Sequence, residues 1–214
     1  MKIDTVLIIG AGGIGGFLIP PLVRLLELHH IYNVKVYDGD SYTPSNRSRQ
    51  IFNTVGEPKA LAMGKTLSWA KWVQVYPEYI NETNIHAVLN NLVGLSLVIP
   101  AVDNMATRHL ILKNLKGRDF IWVCPGNGYT SYTLSHYDSQ IEGAIHPFDI
   151  YFNLKNPDDH LPGSCGEEIV SHPQLLATNA CVAALTLASV TSILNQRPLP
   201  KDIQGDIFKP SHEI

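Results

Sequence analysis

Cysteine is scarce: the chain has only Cys124, Cys165 and Cys181, an odd number, far apart and without a C-x-x-C pair. This argues against a disulfide scaffold and against a four-cysteine zinc site, and it suits a reducing compartment. Charge is also sparse. Charged residues make up 16% and the formal net charge is −3, so there is no basic field to attract nucleic acid, which is not an expected partner. Long apolar runs are missing too. Leu92 to Val102 is too short to span a bilayer, and Cys181 to Leu194 is short and interrupted by Thr and Ser, so these read as a buried strand and a buried helix and no membrane is expected. No cationic-then-apolar leader precedes the first strand, which leads us to expect a cytoplasmic protein. Internal repeats and low-complexity tracts are absent as well. What remains is a chain of 214 residues, 45% apolar, long enough for one well-buried core. We expect one domain over residues 1–196. Residues 197–214, with three prolines, read as an extended arm or disordered tail.

Glycine is abundant where it matters most. Thr5 to Ile9 is a β-branched, apolar run that meets Gly10-Ala11-Gly12-Gly13-Ile14-Gly15-Gly16 with no polar residue between them. The run reads as a buried strand and the segment after it as a helix, with Phe17, Leu18, Leu22, Leu25 and Leu26 supplying its apolar face. Gly10 would allow the tight turn, Gly12 and Gly13 the approach of backbone N–H groups to a phosphate, and Gly15 close packing of helix on strand. The helix N-terminus would then favour the phosphate's negative charge.

About twenty residues on, Asn33 to Asp38 alternates as a second strand and ends on an acidic residue. Asp38 is either a ribose ligand or an aspartate that starts a turn with Gly39. The loop that follows carries Asp40, Asn46, Arg47, Arg49 and Gln50. Hydride transfer needs no such set, whereas arginine forks and amides beside a phosphate site suit a triphosphate whose charge must be held. A solvated loop with an internal salt bridge is the plainer reading.

Further elements follow in order: a helix over Pro58 to Lys71 with apolar Leu61, Met63, Leu67 and Trp69; a strand at Trp72 to Tyr76; and a short helix over Asn84 to Leu92. Next come a core strand at Leu95 to Val102, a helix over Met105 to Leu115, and a strand at Phe120 to Cys124. The Pro125 to Tyr129 glycines mark a sharp exit into an antiparallel strand ending at Tyr137. His146 to Glu168 reads as a long crossover, and Ser171 to Asn195 as a helix whose small residues allow close packing on another helix or across a two-fold axis. The fold class is α/β: a Rossmann-like, doubly wound, mainly parallel sheet with an antiparallel extension and helices on both faces.

The string D-x-D-x5-N-x-x-R-Q after G-x-G-G-x-G resembles the ThiF/MoeB/HesA family and the adenylation domains of ubiquitin-activating enzymes. Val55-Gly56-Glu57-Pro58-Lys59-Ala60 looks like that family's V-G-x-P-K-A segment, and Asp103-Asn104 with Arg108 looks like its D-N-x-x-x-R. The resemblance implies that Asp38 holds the ribose of ATP, that Asn46 and Arg49 contact its phosphates, and that Gln50 supports the loop. Asp40 would join the nucleotide site. Lys59 would neutralise phosphate charge, and Asp103 would bind Mg2+. Arg47, where the family has an apolar residue, reads as a surface charge, and Lys65 as part of a solvated helix face.

The implied activity is adenylation of a C-terminal carboxylate, that of a ubiquitin-like or sulfur-carrier protein ending in Gly-Gly, by a cytoplasmic homodimer. Arg49, Lys59 and Asp103 would do the electrostatic work of catalysis. Cys165 is a candidate for a later thioester or persulfide step. A His160, His172 and Cys165 metal site matches no common zinc spacing. Relatives of the MoeB type have an N-terminal arm bearing an arginine and C-terminal zinc cysteines, and neither is expected here, which points to a compact member. The alternatives are a non-catalytic nucleotide-binding subunit and, on the glycine loop and Asp38 alone, an NAD(P)-dependent oxidoreductase.

Overall fold

A computed structural model describes residues 2–151, 174–198 and 202–209. Its centre is a seven-stranded sheet in the order β3-β2-β1-β4-β5-β6-β7. Strands β1 (Thr5–Ile9), β2 (Val34–Tyr37), β3 (Val73–Tyr76), β4 (Ser96–Pro100) and β5 (Phe120–Asn127) run parallel. Strands β6 (Ser131–Asp138) and β7 (Ile203–Asp206) extend it antiparallel.

Strand β1 is buried on both faces, so its side chains alternate between two apolar layers rather than between core and water. Val6 and Ile8 join the layer that holds Leu18, Leu22 and Leu26 of helix α1 (Gly13–Leu28) and Val182, Val190 and Ile193 of helix α6 (Leu176–Leu194). Leu7 and Ile9 join the opposite layer, with Ile85, Val88 and Leu89 of α3 (Ile85–Asn90) and Ile111, Leu112 and Leu115 of α4 (Met105–Leu115). Two further helices, α2 (Lys59–Thr66) and the short α5 (Pro147–Tyr151), complete the described set. The strand order reverses between β1 and β4, and ligands of open α/β sheets sit beyond the carboxyl ends of the strands at such a point.

Several elements differ from their sequence-based expectations. Helix α2 stops at Thr66, and its apolar face is Ala60, Met63 and, just past the end, Leu67, while Leu61 and Trp69 are exposed. Trp69 finds a different partner, the guanidinium of Arg24, 3.3 Å from its ring centroid. Strand β5 does not exit at Pro125 but continues to Asn127, paired residue for residue with β6. The glycine there makes room rather than a turn. A Cβ on Gly126 would lie 2.7 Å from Thr133 Oγ1 and 3.5 Å from Arg108, whose guanidinium donates to the carbonyls of Val102 and Pro125.

Residues 203–206 of the C-terminal stretch pair with β6 as the last strand. Helix α6 is long and apolar enough to cross a membrane by length and composition. Its stripe of Thr178, Asn179, Val182, Ala183, Thr186, Ser189, Val190 and Ile193 is buried, and the helix packs on α1, β5 and β6 of its own chain. The start signal expected at Ser171 to Pro173 lies outside the described residues, as does most of the expected crossover.

Candidate functional site

A cleft of about 430 Å3 opens at the carboxyl ends of β1, β2 and β4. Gly10, with φ +98°, leaves β1 so tightly against the chain after β4 that a Cβ would come within 2.4 Å of the Ala101 carbonyl oxygen. A Cβ on Gly15 would strike the Gly10 carbonyl at 2.0 Å, so Gly15 seats α1 against the end of β1, behind the cleft wall. Gly12 is different: a Cβ there would point at Gln50 Nε2 and Lys59 Nζ, 3.6 and 3.9 Å away, across the cleft. Gly13 lines the cleft as well, with Asn179 pressed against its Cα.

Asp38 is buried at the end of β2 and accepts from Ala11 N–H at 2.6 Å and Asp40 N–H at 2.8 Å, one on each carboxylate oxygen. It therefore ties the glycine loop to β2. Burial pushes its pKa up, and the two N–H bonds and the Lys59 ammonium only partly offset this. A carboxylate has about four acceptor sites, so this one can still take hydroxyl protons.

The next loop is knotted by Asn46. Its Oδ1 accepts from Thr43 N–H at 3.0 Å, and its carbonyl accepts from both Arg49 N–H and Gln50 N–H, at 3.1 and 2.9 Å. This turns the side chains of Arg49 and Gln50 into the cleft. There, Arg49 Nε and Gln50 Oε1 are buried with no hydrogen-bond partner among the described residues. Buried polar atoms are normally paired, so each such orphan invites a ligand. Arg47 stays outside, exposed, 5.8 Å from the Phe52 ring centroid.

Lys59, the first residue of α2, is buried, and its Nζ donates to Asp40 Oδ2 at 2.9 Å. Tyr79, after β3, donates its hydroxyl to the other Asp40 oxygen. Burial opposes the charge on Asp40, but the bonds from Tyr79 and Lys59 and the field of Arg49 outweigh it and hold the carboxyl below its ordinary value. The same bond, with burial, pushes the Tyr79 phenol up to about 12. Lys65 pairs with Glu57 at 2.5 Å, away from the cleft, on an exposed helix face.

Asp103 follows β4 and lies exposed on the rim, beside Asn104, which caps α4 by accepting from Thr107 N–H at 2.8 Å. No cluster of three or more His, Cys, Asp or Glu suited to a metal occurs among the described residues. Cys165, His160 and His172 lie outside them, and Cys124 is buried at the edge of the core.

The geometry thus gathers Gly10, Gly12, Gly13, Asp38, Asp40, Asn46, Arg49, Gln50, Lys59 and Asp103 around one cleft, from segments far apart in the chain. Sequence reasoning missed Tyr79, Asn127, Asn179 and Gln174. Asn127 and Gln174 line the cleft, and Asn179 stands behind it. The readable signal for Asn179 is a carboxamide in a helix otherwise built of Ala, Val, Leu, Ile, Thr, Ser and one Cys.

A model of the ThiF family matches residues 2–202. The chain belongs to the ThiF family. A sulfur carrier protein adenylyltransferase of Thermus thermophilus is 33% identical over 117 residues, a match covering 52% of this chain and 41% of that protein. The chain therefore corresponds to about two fifths of that relative's length. Among solved structures, E. coli MccB with ATP superposes with a TM-score of 0.65 at 18% identity, covering 95% of this chain and 64% of MccB. PaaA superposes with a TM-score of 0.63 at 15% identity, again covering 95% of this chain and 64% of the other. At such identities these likenesses establish the fold alone, an α/β mixed sheet of the kind built in MccB.

Proposed function

We propose that this ThiF-family chain carries the nucleotide-activating site of an ATP- and magnesium-dependent adenylyltransferase. Its substrate would be the C-terminal carboxylate of a small carrier protein or peptide. The observation that carries this is the orphaned pair Arg49 Nε and Gln50 Oε1, buried in a cleft that also receives the N-terminus of α1 and the Lys59 ammonium. Arg49 Nε, the N–H groups of α1 and Lys59 Nζ are donors that fit the phosphates of a nucleotide. Gln50 Oε1 only accepts and fits a hydroxyl or amino group, while Gln50 Nε2, on the Gly12 side, is the donor that side chain offers a phosphate. Asp38 fits the ribose. The name of the Thermus relative supports a carrier protein as substrate, and the complex of E. coli MccB with AMPCPP and MccA suggests a peptide as the other possibility.

The charge on the cleft bears on magnesium. Four carboxylates line it, those of Asp38, Asp40, Glu78 and Asp103, against the cations of Arg49 and Lys59. A triphosphate adds more negative charge than these two cations and one helix dipole can balance, so the donor set fits a nucleotide that arrives with a divalent cation. Magnesium would supply the balancing positive charge, and Asp103, on the exposed rim of the cleft, is the residue we propose would hold it.

The reaction needs no conventional base, since the nucleophile is already a carboxylate. Its oxygen attacks the α-phosphorus, the bond to the bridging oxygen breaks, and pyrophosphate leaves with the electron pair. Arg49 and Lys59 hold negative charge where it grows, and the rigid glycine loop fixes the phosphates against the attacking oxygen. Homodimerisation, a cytoplasmic location and a thioester or persulfide step at Cys165 remain part of this proposal.

Thermal shift tests it without knowledge of the carrier. At about one hundred times its dissociation constant a ligand stabilises by about 2.7 kcal/mol, which for a chain of this size raises Tm by about 5–10 °C. Magnesium-ATP should give that shift, and chelator should reduce it. Stabilisation by NAD and not by magnesium-ATP would overturn the proposal.

A further inference from the structure

Asn179 is fully buried in the first turns of α6, where a carboxamide is costly unless its nitrogen and its oxygen each find a partner. Both do. Its Nδ2 donates to the Arg49 carbonyl oxygen at 2.9 Å, and its Oδ1 accepts from Asn127 Nδ2 at 2.6 Å. Because a backbone carbonyl can only accept, the amide must present its nitrogen to Arg49. That sets its oxygen toward Asn127 and fixes the orientation of both side chains.

The group also abuts the start of α1. A Cβ on Gly13 would lie 2.5 Å from Nδ2, so the amide fits only because position 13 is glycine. One side chain thus joins the end of β5, the N-terminus of α1 and the peptide between Arg49 and Gln50. That peptide is held at both ends, its oxygen by Asn179 and its N–H, that of Gln50, by the Asn46 carbonyl at 2.9 Å. The plane it fixes is the one from which the Arg49 and Gln50 side chains depart.

We infer that Asn179 is a positioning residue: it locks the Arg49–Gln50 peptide against the glycine loop so that both side chains meet the nucleotide's phosphates. The inference rests on the adenylyltransferase reading for its ligand. It goes beyond that reading in assigning a role to a residue of α6 that does not line the cleft. Asn179→Asp keeps the shape but puts an acceptor against the Arg49 carbonyl, so the peptide turns away. Asn179→Ala removes both bonds without adding charge and suits a helix interior.

The test measures affinities for magnesium-ATP and for adenosine in the full chain. Arg49 and Gln50 act on phosphates, so both variants should lose about tenfold or more in ATP affinity, with adenosine within about threefold of the parent. In an Arg49→Ala background, Asn179→Asp should lose clearly less ATP affinity than it does in the parent, since the share that runs through Arg49 is already gone and only that of Gln50 is left. Equal weakening of ATP and adenosine, or full additivity with Arg49→Ala, would reduce Asn179 to a general structural residue and overturn the inference. So would unchanged ATP affinity, or failure of both variants to fold. If the parent chain binds no ATP, the adenylyltransferase reading fails first.

Discussion

Replacing Lys59 by methionine keeps the length of the side chain and removes its charge, so it separates the two jobs this buried ammonium could have. In the protein it faces Asp40 at 2.9 Å, which at an effective dielectric of about 20 is a gross attraction of about 6 kcal/mol. Most of that is offset by the cost of burying the ammonium, and Asp40 is half-exposed, so the net loss of stability should be about 1–2 kcal/mol. For a chain of this size that lowers Tm by about 2–8 °C. The effect on the nucleotide should be larger. A charge-assisted bond to a phosphate contributes about 1.5–3 kcal/mol, so ATP affinity by titration calorimetry should fall about 10- to 150-fold. Pyrophosphate exchange with a matched carrier should fall about 100- to 1,000-fold, because charge grows on the leaving group in the transition state. If Lys59→Met lowers Tm as expected yet binds ATP within threefold of the parent, Lys59 is an ion-pair partner for Asp40 and the phosphate role is wrong.

Two glycines with positive φ separate strain from crowding. Gly56 has φ +84° and open space where a Cβ would go, so Gly56→Ala should cost about 1–2 kcal/mol in urea unfolding, from the dihedral alone. Gly10→Ala adds a backbone clash with Ala101 and should cost about 2–5 kcal/mol, and equal losses at the two sites would contradict the close approach of β1 to the chain after β4. Acid should weaken nucleotide binding through Asp38. Its raised pKa means that the folded protein takes up this proton above about pH 3.9, the ordinary aspartate value. ATP affinity in the parent should therefore decline on acidification earlier than in Asp38→Asn. The stability signs of the two aspartates are opposite. The charge on Asp38 costs stability at neutral pH, and that cost is relieved as the pH falls through its raised value. The charge on Asp40, whose pKa is lowered, stabilises above the ordinary value and is lost as the pH falls through the lowered one. Urea midpoints of Asp38→Asn and Asp40→Asn across the acid range check both signs.

Much of the sheet was legible because its strands announce themselves locally: Thr5 to Ile9 and Ser96 to Pro100 are apolar runs that end in loops of different composition. The misreadings share a cause. Pro125-Gly126 is a turn signal by local rules, but β6 supplies an antiparallel partner, and Arg108 takes the space that Gly126 leaves. Ile203 to Asp206 has too little alternation to read as a strand, and it becomes one because the outer edge of β6 is there to pair with. The cleft residues that sequence reasoning found lie in short motifs with fixed offsets from a strand end. Those it missed come from elsewhere. Tyr79 reaches the cleft by way of β3 and Asn127 from the unexpected extension of β5, while Asn179 stands behind it on a helix 130 residues beyond the arginine whose carbonyl it holds.

The two cations of the cleft are held in different ways, and this bears on how the site can be both stable and ready. Lys59 is charge-compensated by Asp40, which Tyr79 in turn orients, so a phosphate arriving there shares an ammonium that already has a partner. Arg49 is fixed through its backbone, by Asn46 at its N–H and Asn179 at its carbonyl, while its buried Nε stays unpaired among the described residues. Fixing the backbone rather than the guanidinium keeps the side chain's donors free for a ligand without leaving its direction to chance, which is the preorganisation that the proposed adenylyl transfer would require. An unpaired buried donor costs stability, so the cost of readiness falls on Arg49, and the bonds to its backbone are what make that cost bearable.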